Sequence, residues 1–286
     1  MWETIRDLLS ETVLDCLKML PILFLAYLLM EFIEKKAGEK LNNAVAKVGV
    51  AGPAIGGLLG AVPQCGFSGA IAGFYAAGIV TLGTLLSVFL STSDEMLPIL
   101  LSSQIPIPQI LKILAFKVAG GILAGFLIDI ILRLFKKQRA TDSEHIHEFC
   151  EQEHCDCEES IWLSALKHTG KVMLLIFIVS LALNVVFEVW GSQFLTDIIR
   201  SVPVFGEAVL ALIGLIPNCS ASVLITNLYV EGVITAGQMI AGLMANAGVG
   251  LLVLFRLNKK PKQNLLITLL LYVCAVALGL LIGLIW

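Results

Sequence analysis

The stretch "PQCGFSGAIAGFYAAGIVTLG" (Pro63–Gly83) recurs in altered form. Shifted by 154 residues, it falls on "PNCSASVLITNLYVEGVITAG" (Pro217–Gly237) without a gap. Pro63, Cys65, Ser68, Tyr75, Gly78, Thr81 and Gly83 meet Pro217, Cys219, Ser222, Tyr229, Gly232, Thr235 and Gly237. Gln64 meets Asn218, amide against amide. Chance likeness between apolar segments repeats Leu, Val and Ala. The residues shared here are Pro, Cys, Ser, Tyr, Gly and Thr, so the chain reads as an internal repeat.

Composition fixes the solvent. The 286 residues are 58% hydrophobic and 14% charged, where soluble domains carry about a quarter charged. That apolar surplus exceeds one globular core. Runs long enough to cross a bilayer as helices, about 20 residues each, lie at Thr12–Ile33, Ile110–Leu134, Ala165–Trp190, Thr235–Phe255 and Leu265–Trp286. The first lacks a basic lead and a clear cleavage site, so it reads as a span and not as a signal peptide. No basic stripe points to nucleic acid. No nucleotide motif or catalytic constellation points to an enzyme, and no cofactor is expected.

Each half divides alike. A long helix (Thr12–Ile33; Ala165–Trp190) precedes two short apolar arms around the Pro-x-Cys turn. The arms are Val48–Val62 with Phe67–Val80, and Phe205–Ile216 with Ser222–Ile234. Two further long segments follow: Leu82–Leu101 with Ile110–Leu134, and Thr235–Phe255 with Leu265–Trp286. The expected fold is an all-α integral membrane protein. Its ten transmembrane or re-entrant segments form a 5+5 inverted repeat with broken helices at the midplane. Residues 1–135 form the first repeat, 136–163 a central loop and 164–286 the second repeat.

Basic residues set the orientation. Lys35, Lys36, Lys40 and Lys47, then Arg133, Lys136, Lys137, Arg139, Lys167 and Lys171, then Arg256, Lys259, Lys260 and Lys262 form three clusters. All three are cytoplasmic if both termini lie outside. Lys112, Lys117 and Arg200 are exceptions. Five segments per half then turn the second half upside down relative to the first. Irregular backbone at membrane depth survives only where protein or a cavity encloses it. Matched breaks in inverted repeats point to a transporter's binding site. Pro and Gly can merely kink packed helices, but two breaks at matched positions argue for more.

The candidate site gathers Gln64, Cys65, Ser68, Asn218, Cys219 and Ser222 from the turns, with Asp94, Glu95 and Asn246 from the long segments. Asp94 and Glu95 sit within an apolar run, where a carboxylate costs several kcal/mol unless paired, hydrated or metal-bound. The surrounding "STSDE" (Ser91–Glu95) is polar enough to unwind locally. In the other half Asn246 and Gly248 match Thr92 and Asp94, so the carboxylates belong to one half only. A structural pair with Lys117 is the plainer alternative. Carboxylate, amide and carbonyl oxygens suit Mn²⁺ or a similar ion; thiols favour Zn²⁺, Cu⁺ or trivalent arsenic.

The seven cysteines show no disulfide framework. Cys150, Cys155 and Cys157 share the loop Ala140–Ser160 with His145, His147, His154 and many carboxylates. This density reads as a flexible metal-binding segment. An acidic solvated linker is the plainer reading.

The paired Pro-x-Cys turns, "FLSTSDEMLPILL" (Phe89–Leu101) and "AGLMANAGVGLLVLFR" (Ala241–Arg256) resemble the ten-transmembrane heavy-metal exporters. That family is variously labelled arsenic-efflux-like proteins or manganese transporters, and the likeness covers nearly the whole chain. The resemblance implies a metal exporter of the bacterial inner membrane and leaves the ion open. The reading from sequence is a secondary transporter exporting a divalent cation, Mn- or Zn-like, as its substrate. The alternatives are an arsenic permease using Cys65 and Cys219, and a metal channel or sensor. The partners expected are the metal ion and the lipid bilayer, with a homodimer left open.

Overall fold

The computed structural model describes residues 51–62, 66–93, 95–134, 161–201 and 206–285, with scattered positions between 6 and 28. Among these residues there is no strand, and 85% of them are helical. The described positions of 6–28 are helical and form α1. There follow α2 (Ala51–Gly60), α3 (Gly66–Ala76), α4 (Leu82–Ser91), α5 (Met96–Ser102) and α6 (Ile107–Leu134). The second half holds α7 (Ile161–Ser201), α8 (Gly206–Gly214), α9 (Cys219–Val230), α10 (Ala236–Ala245), α11 (Gly250–Leu257) and α12 (Pro261–Ile285). The long helix expected at 165–190 thus starts earlier and ends later, and the central loop gives way to helix at Ile161.

Among the described residues, five stretches are long and apolar enough to span a membrane: Leu82–Ser102, Ile107–Leu134, Ala165–Ala182, Ala236–Leu257 and Pro261–Ile285. The first and fourth are interrupted. Helix α4 stops at Ser91 and α5 starts at Met96; α10 stops at Ala245 and α11 starts at Gly250. The interrupted spans are 71% and 83% buried in protein, the continuous ones 44%, 29% and 28%. Lipid cannot satisfy free backbone groups, so the broken helices must take the interior.

The pattern of α6 shows how a continuous span divides its faces. Ile113, Lys117, Gly121, Gly125 and Ile128 are buried at helical spacing, while Leu123, Leu127, Ile130 and Leu134 are exposed. Small residues on the inner stripe let α4 come close. A Cβ on Gly125 would lie 2.5 Å from the Gly83 carbonyl oxygen. The α10–α12 contact is built the same way, with a Cβ on Gly279 meeting the Gly237 carbonyl oxygen at 2.8 Å.

The residues shared at the 154-residue offset now acquire local reasons. Gly78 and Gly232 take φ of 76° and 72°, a left-handed conformation that glycine adopts without penalty. Each closes a Schellman motif after the preceding helix. Ile79 N donates to Phe74 O at 2.8 Å and Val233 N to Leu228 O at 2.9 Å. Three residues on, Thr81 and Thr235 cap α4 and α10, their hydroxyls accepting from Thr84 N and Gln238 N. At α4 the cap is reinforced by Asp129 of α6, which accepts from Thr81 Oγ1 at 2.6 Å and Gly83 N at 2.8 Å. This deep carboxylate therefore serves a helix N-terminus.

Tyr75 and Tyr229 are also explained. Gln263 at the start of α12 donates to Tyr75 Oη, and Gln109 at the start of α6 donates to Tyr229 Oη, both at 2.7 Å. Across the halves, α3 packs on α11 and α9 on α5.

Candidate functional site

The site is assembled from the two helix breaks and the turn before α9. In the first break, Thr92, Ser93 and Glu95 lie outside helix, as the polarity of "STSDE" predicts. Ser91, Thr92 and Ser93 are buried, and their hydroxyls return to the chain: Thr92 Oγ1 to Val88 O at 2.8 Å and Ser93 Oγ to Ser91 O at 2.9 Å. Glu95 is half-buried at the N-cap of α5.

The second break was not foreseen from sequence. Asn246 ends α10, and its Oδ1 accepts from Gly248 N at 2.8 Å. Gly248 has φ of 53°, so the chain turns there at little cost. Ala247 N bonds to Ala245 O instead of continuing the helical ladder. The usable signal was the offset itself, which sets Asn246 and Gly248 opposite the polar break of the first half.

Before α9, Asn218 occupies the N-cap position without capping by its side chain. Its Nδ2 donates instead to Asn184 Oδ1 of α7 at 2.6 Å, and Ser220 Oγ donates to the same oxygen at 2.8 Å. Asn184 Nδ2 in turn donates to Thr12 Oγ1 of α1 at 3.0 Å. On its other side, the Asn218 carbonyl lies 3.5 Å from Asn246 Nδ2, at the edge of hydrogen-bond reach. Thr12, Asn184, Asn218 and Asn246 are all buried. A buried amide must be bonded, so this chain ties α1, α7, the turn and the second break into one polar line.

Of the residues expected from sequence, Asn218 and Asn246 are brought together. Cys219 adjoins them, half-buried and outside any disulfide. Ser222 is buried, its hydroxyl donating to Cys219 O at 2.8 Å. Ser68 is buried where α3 meets α11, with a Cβ on Gly250 falling 2.9 Å from Ser68 Cβ. Gln64, Cys65, Asp94, His145, His147, Cys150, His154, Cys155 and Cys157 lie outside the described residues. Among the described residues, no group of three or more His, Cys, Asp or Glu could hold a metal ion.

Sequence reasoning missed Asn184, although an asparagine in a long apolar helix is itself a signal. It weighed Lys117 only as a partner for the carboxylates. Lys117 is fully buried, and its Nζ donates to Thr92 O in the first break and to Leu243 O near the second, the latter at 3.4 Å.

Paired interrupted spans enclosed by continuous ones define a multi-pass α-helical membrane protein with a polar interior. Comparison with known families narrows this. A family model described as "Putative, 10TM heavy-metal exporter" matches residues 6–209, and the chain belongs to that family. The match is narrower than the resemblance read from sequence, ending before the second Pro-x-Cys turn. The family's description is that of a transporter. No curated protein and no solved structure matches the chain.

Proposed function

We infer that the protein is a secondary transporter that exports a divalent, manganese-like cation from the cytoplasm across the bacterial inner membrane. The observation that carries this reading is the pair of interrupted spans at matched positions, buried deepest in the protein, each exposing amide, hydroxyl or carbonyl oxygens at its break. Such breaks are where transporters of inverted repeats bind their cargo, and oxygen donors suit a hard-to-borderline cation. Asp94 and Glu95 would supply charge, with Gln64 and Ser68 from the first half and Asn218, Ser222 and Asn246 from the second.

A 5+5 inverted repeat, residues 1–135 and 164–286 around a cytoplasmic loop, accounts for the crossed contacts. In such a chain, the end of α3 and the start of α12 share one membrane side. The end of α9 and the start of α6 share the other. The Tyr75–Gln263 and Tyr229–Gln109 bonds join these ends. Helices α1 and α7 meet through Phe24–Trp162 and Thr12–Asn184, the antiparallel sense expected of equivalent helices in inverted halves. The loop's His145, His147, Cys150, His154, Cys155 and Cys157 would gather metal on the cytoplasmic side. A soft-metal or arsenic substrate is the second reading, favoured by the half-buried Cys219 beside Asn218.

The test is uptake into inverted vesicles across Mn²⁺, Zn²⁺, Co²⁺, Cd²⁺ and arsenite, with and without a pH gradient. Saturable Mn²⁺ uptake, lost in Asp94→Asn or Glu95→Gln protein that remains folded, is expected. Full flux in both variants would remove the carboxylates from the site. Arsenite uptake without divalent uptake would overturn the substrate assignment.

A further inference from the structure

We propose that Lys117 is a tethered cation: its ammonium fills a seat for a small monovalent cation, built by the carbonyl ends of α4 and α10, and so holds the two interrupted spans together.

The seat follows from how the helices end. The last carbonyls of any helix lack intrahelical partners, and they carry the negative end of the helix dipole. Thr92 is the C-cap of α4, and its carbonyl accepts from Lys117 Nζ. Leu243 lies in the last turn of α10. Its carbonyl would ordinarily take the amide of Ala247, but that amide bonds to Ala245 O. Lys117 Nζ reaches the Leu243 carbonyl at 3.4 Å. Two helix C-termini, one from each half, thus converge on one ammonium that has no exposure to solvent. Unwound carbonyls and half-helix C-termini are the groups that hold small cations in discontinuous membrane helices.

The packing of the scaffold does not itself demand a lysine. The position at the 154-residue offset is Leu271, equally buried in α12. There the break carries Asn246, which satisfies Gly248 N with its own side chain. One break is therefore closed by an amide and the other by a positive charge. A charge at this depth is costly unless compensated, and one carbonyl from each break contributes to that compensation.

The inference concerns scaffold electrostatics, and its readout is independent of which ion is transported. Purified full-length protein in detergent is unfolded thermally, with tryptophan fluorescence as the probe. The proteins compared are the native chain, Lys117→Ala and Lys117→Gln. Choline chloride is replaced stepwise, at constant ionic strength, by NaCl, KCl, methylammonium chloride or propylammonium chloride. The alanine variant should lose stability in choline and regain it saturably with at least one small cation. The regain should be about 3 °C more than the native chain shows at cation concentrations well above half-saturation. If the alanine variant does not fold, the glutamine variant, which retains donors but no charge, decides by the same comparison. A salt response equal to that of the native chain overturns the proposal. So does a glutamine variant as stable in choline as the native chain. Failure of metal flux in the vesicle assay would refute the proposed function while leaving this result standing.

Discussion

Replacing Tyr75 or Tyr229 by Phe removes one hydroxyl and keeps the ring. Each hydroxyl accepts a bond of 2.7 Å, from Gln263 or Gln109. Because the ring stays, packing is preserved and the loss is that of the hydrogen bond. Such bonds between membrane helices are worth about 0.6 kcal/mol on average and up to about 1.7 kcal/mol. If the two sites are equivalent parts of one repeated design, the two substitutions should cost nearly the same. Their donors sit on different helices, so the double variant should lose the sum, about 1.2 kcal/mol from the average value. In thermal unfolding this corresponds to about 1–3 °C for each single variant and about twice that for the double. The assay is thermal unfolding of purified protein, with all three variants in one detergent. A cost confined to one tyrosine, or a double variant no worse than the singles, would refute the equivalence of the two contacts.

Two further expectations concern packing and substrate. A Cβ on Gly214 would sit 2.0 Å from the Gly242 carbonyl oxygen, whereas one on Gly170 meets nothing within 4 Å. Gly214→Ala must therefore push α8 away from α10, at a cost of about 1–3 kcal/mol. Gly170→Ala in the middle of α7 should stabilise by about 0.5–1 kcal/mol. Thermal unfolding of the pair checks both signs. Cys65→Ser combined with Cys219→Ser should retain most uptake of a manganese-like ion, because serine keeps the size and supplies oxygen. Loss of all divalent binding in a double variant that stays monodisperse would promote the thiolate reading.

The sequence by itself determined what depends on short-range pattern. Apolar runs named the solvent and the continuous spans near 110–134, 165–190 and 265–286, but took the interrupted stretch at 235–255 as continuous; the reuse of Pro, Cys, Tyr, Gly and Thr at one offset suggested a repeat. The polarity of Ser91–Glu95 marked the first break, because hydroxyls that return to their own backbone compete with the helical ladder. Gly78 and Thr81 stood out in the sequence only as shared residues, and the structure gives their roles as a helix end and a helix start.

Only the tertiary structure decided which groups meet. The second break lies between apolar neighbours, and its cause is the bonding of Asn246 to Gly248 and to the distant Asn218 turn. Asn184 bonds to a turn 34 residues away, and Lys117 to a carbonyl 126 residues away. Hydropathy registers that such a residue is polar inside an apolar run. It carries no information about which orphaned carbonyl or amide the side chain will satisfy, because that partner is chosen by helix packing across the two halves.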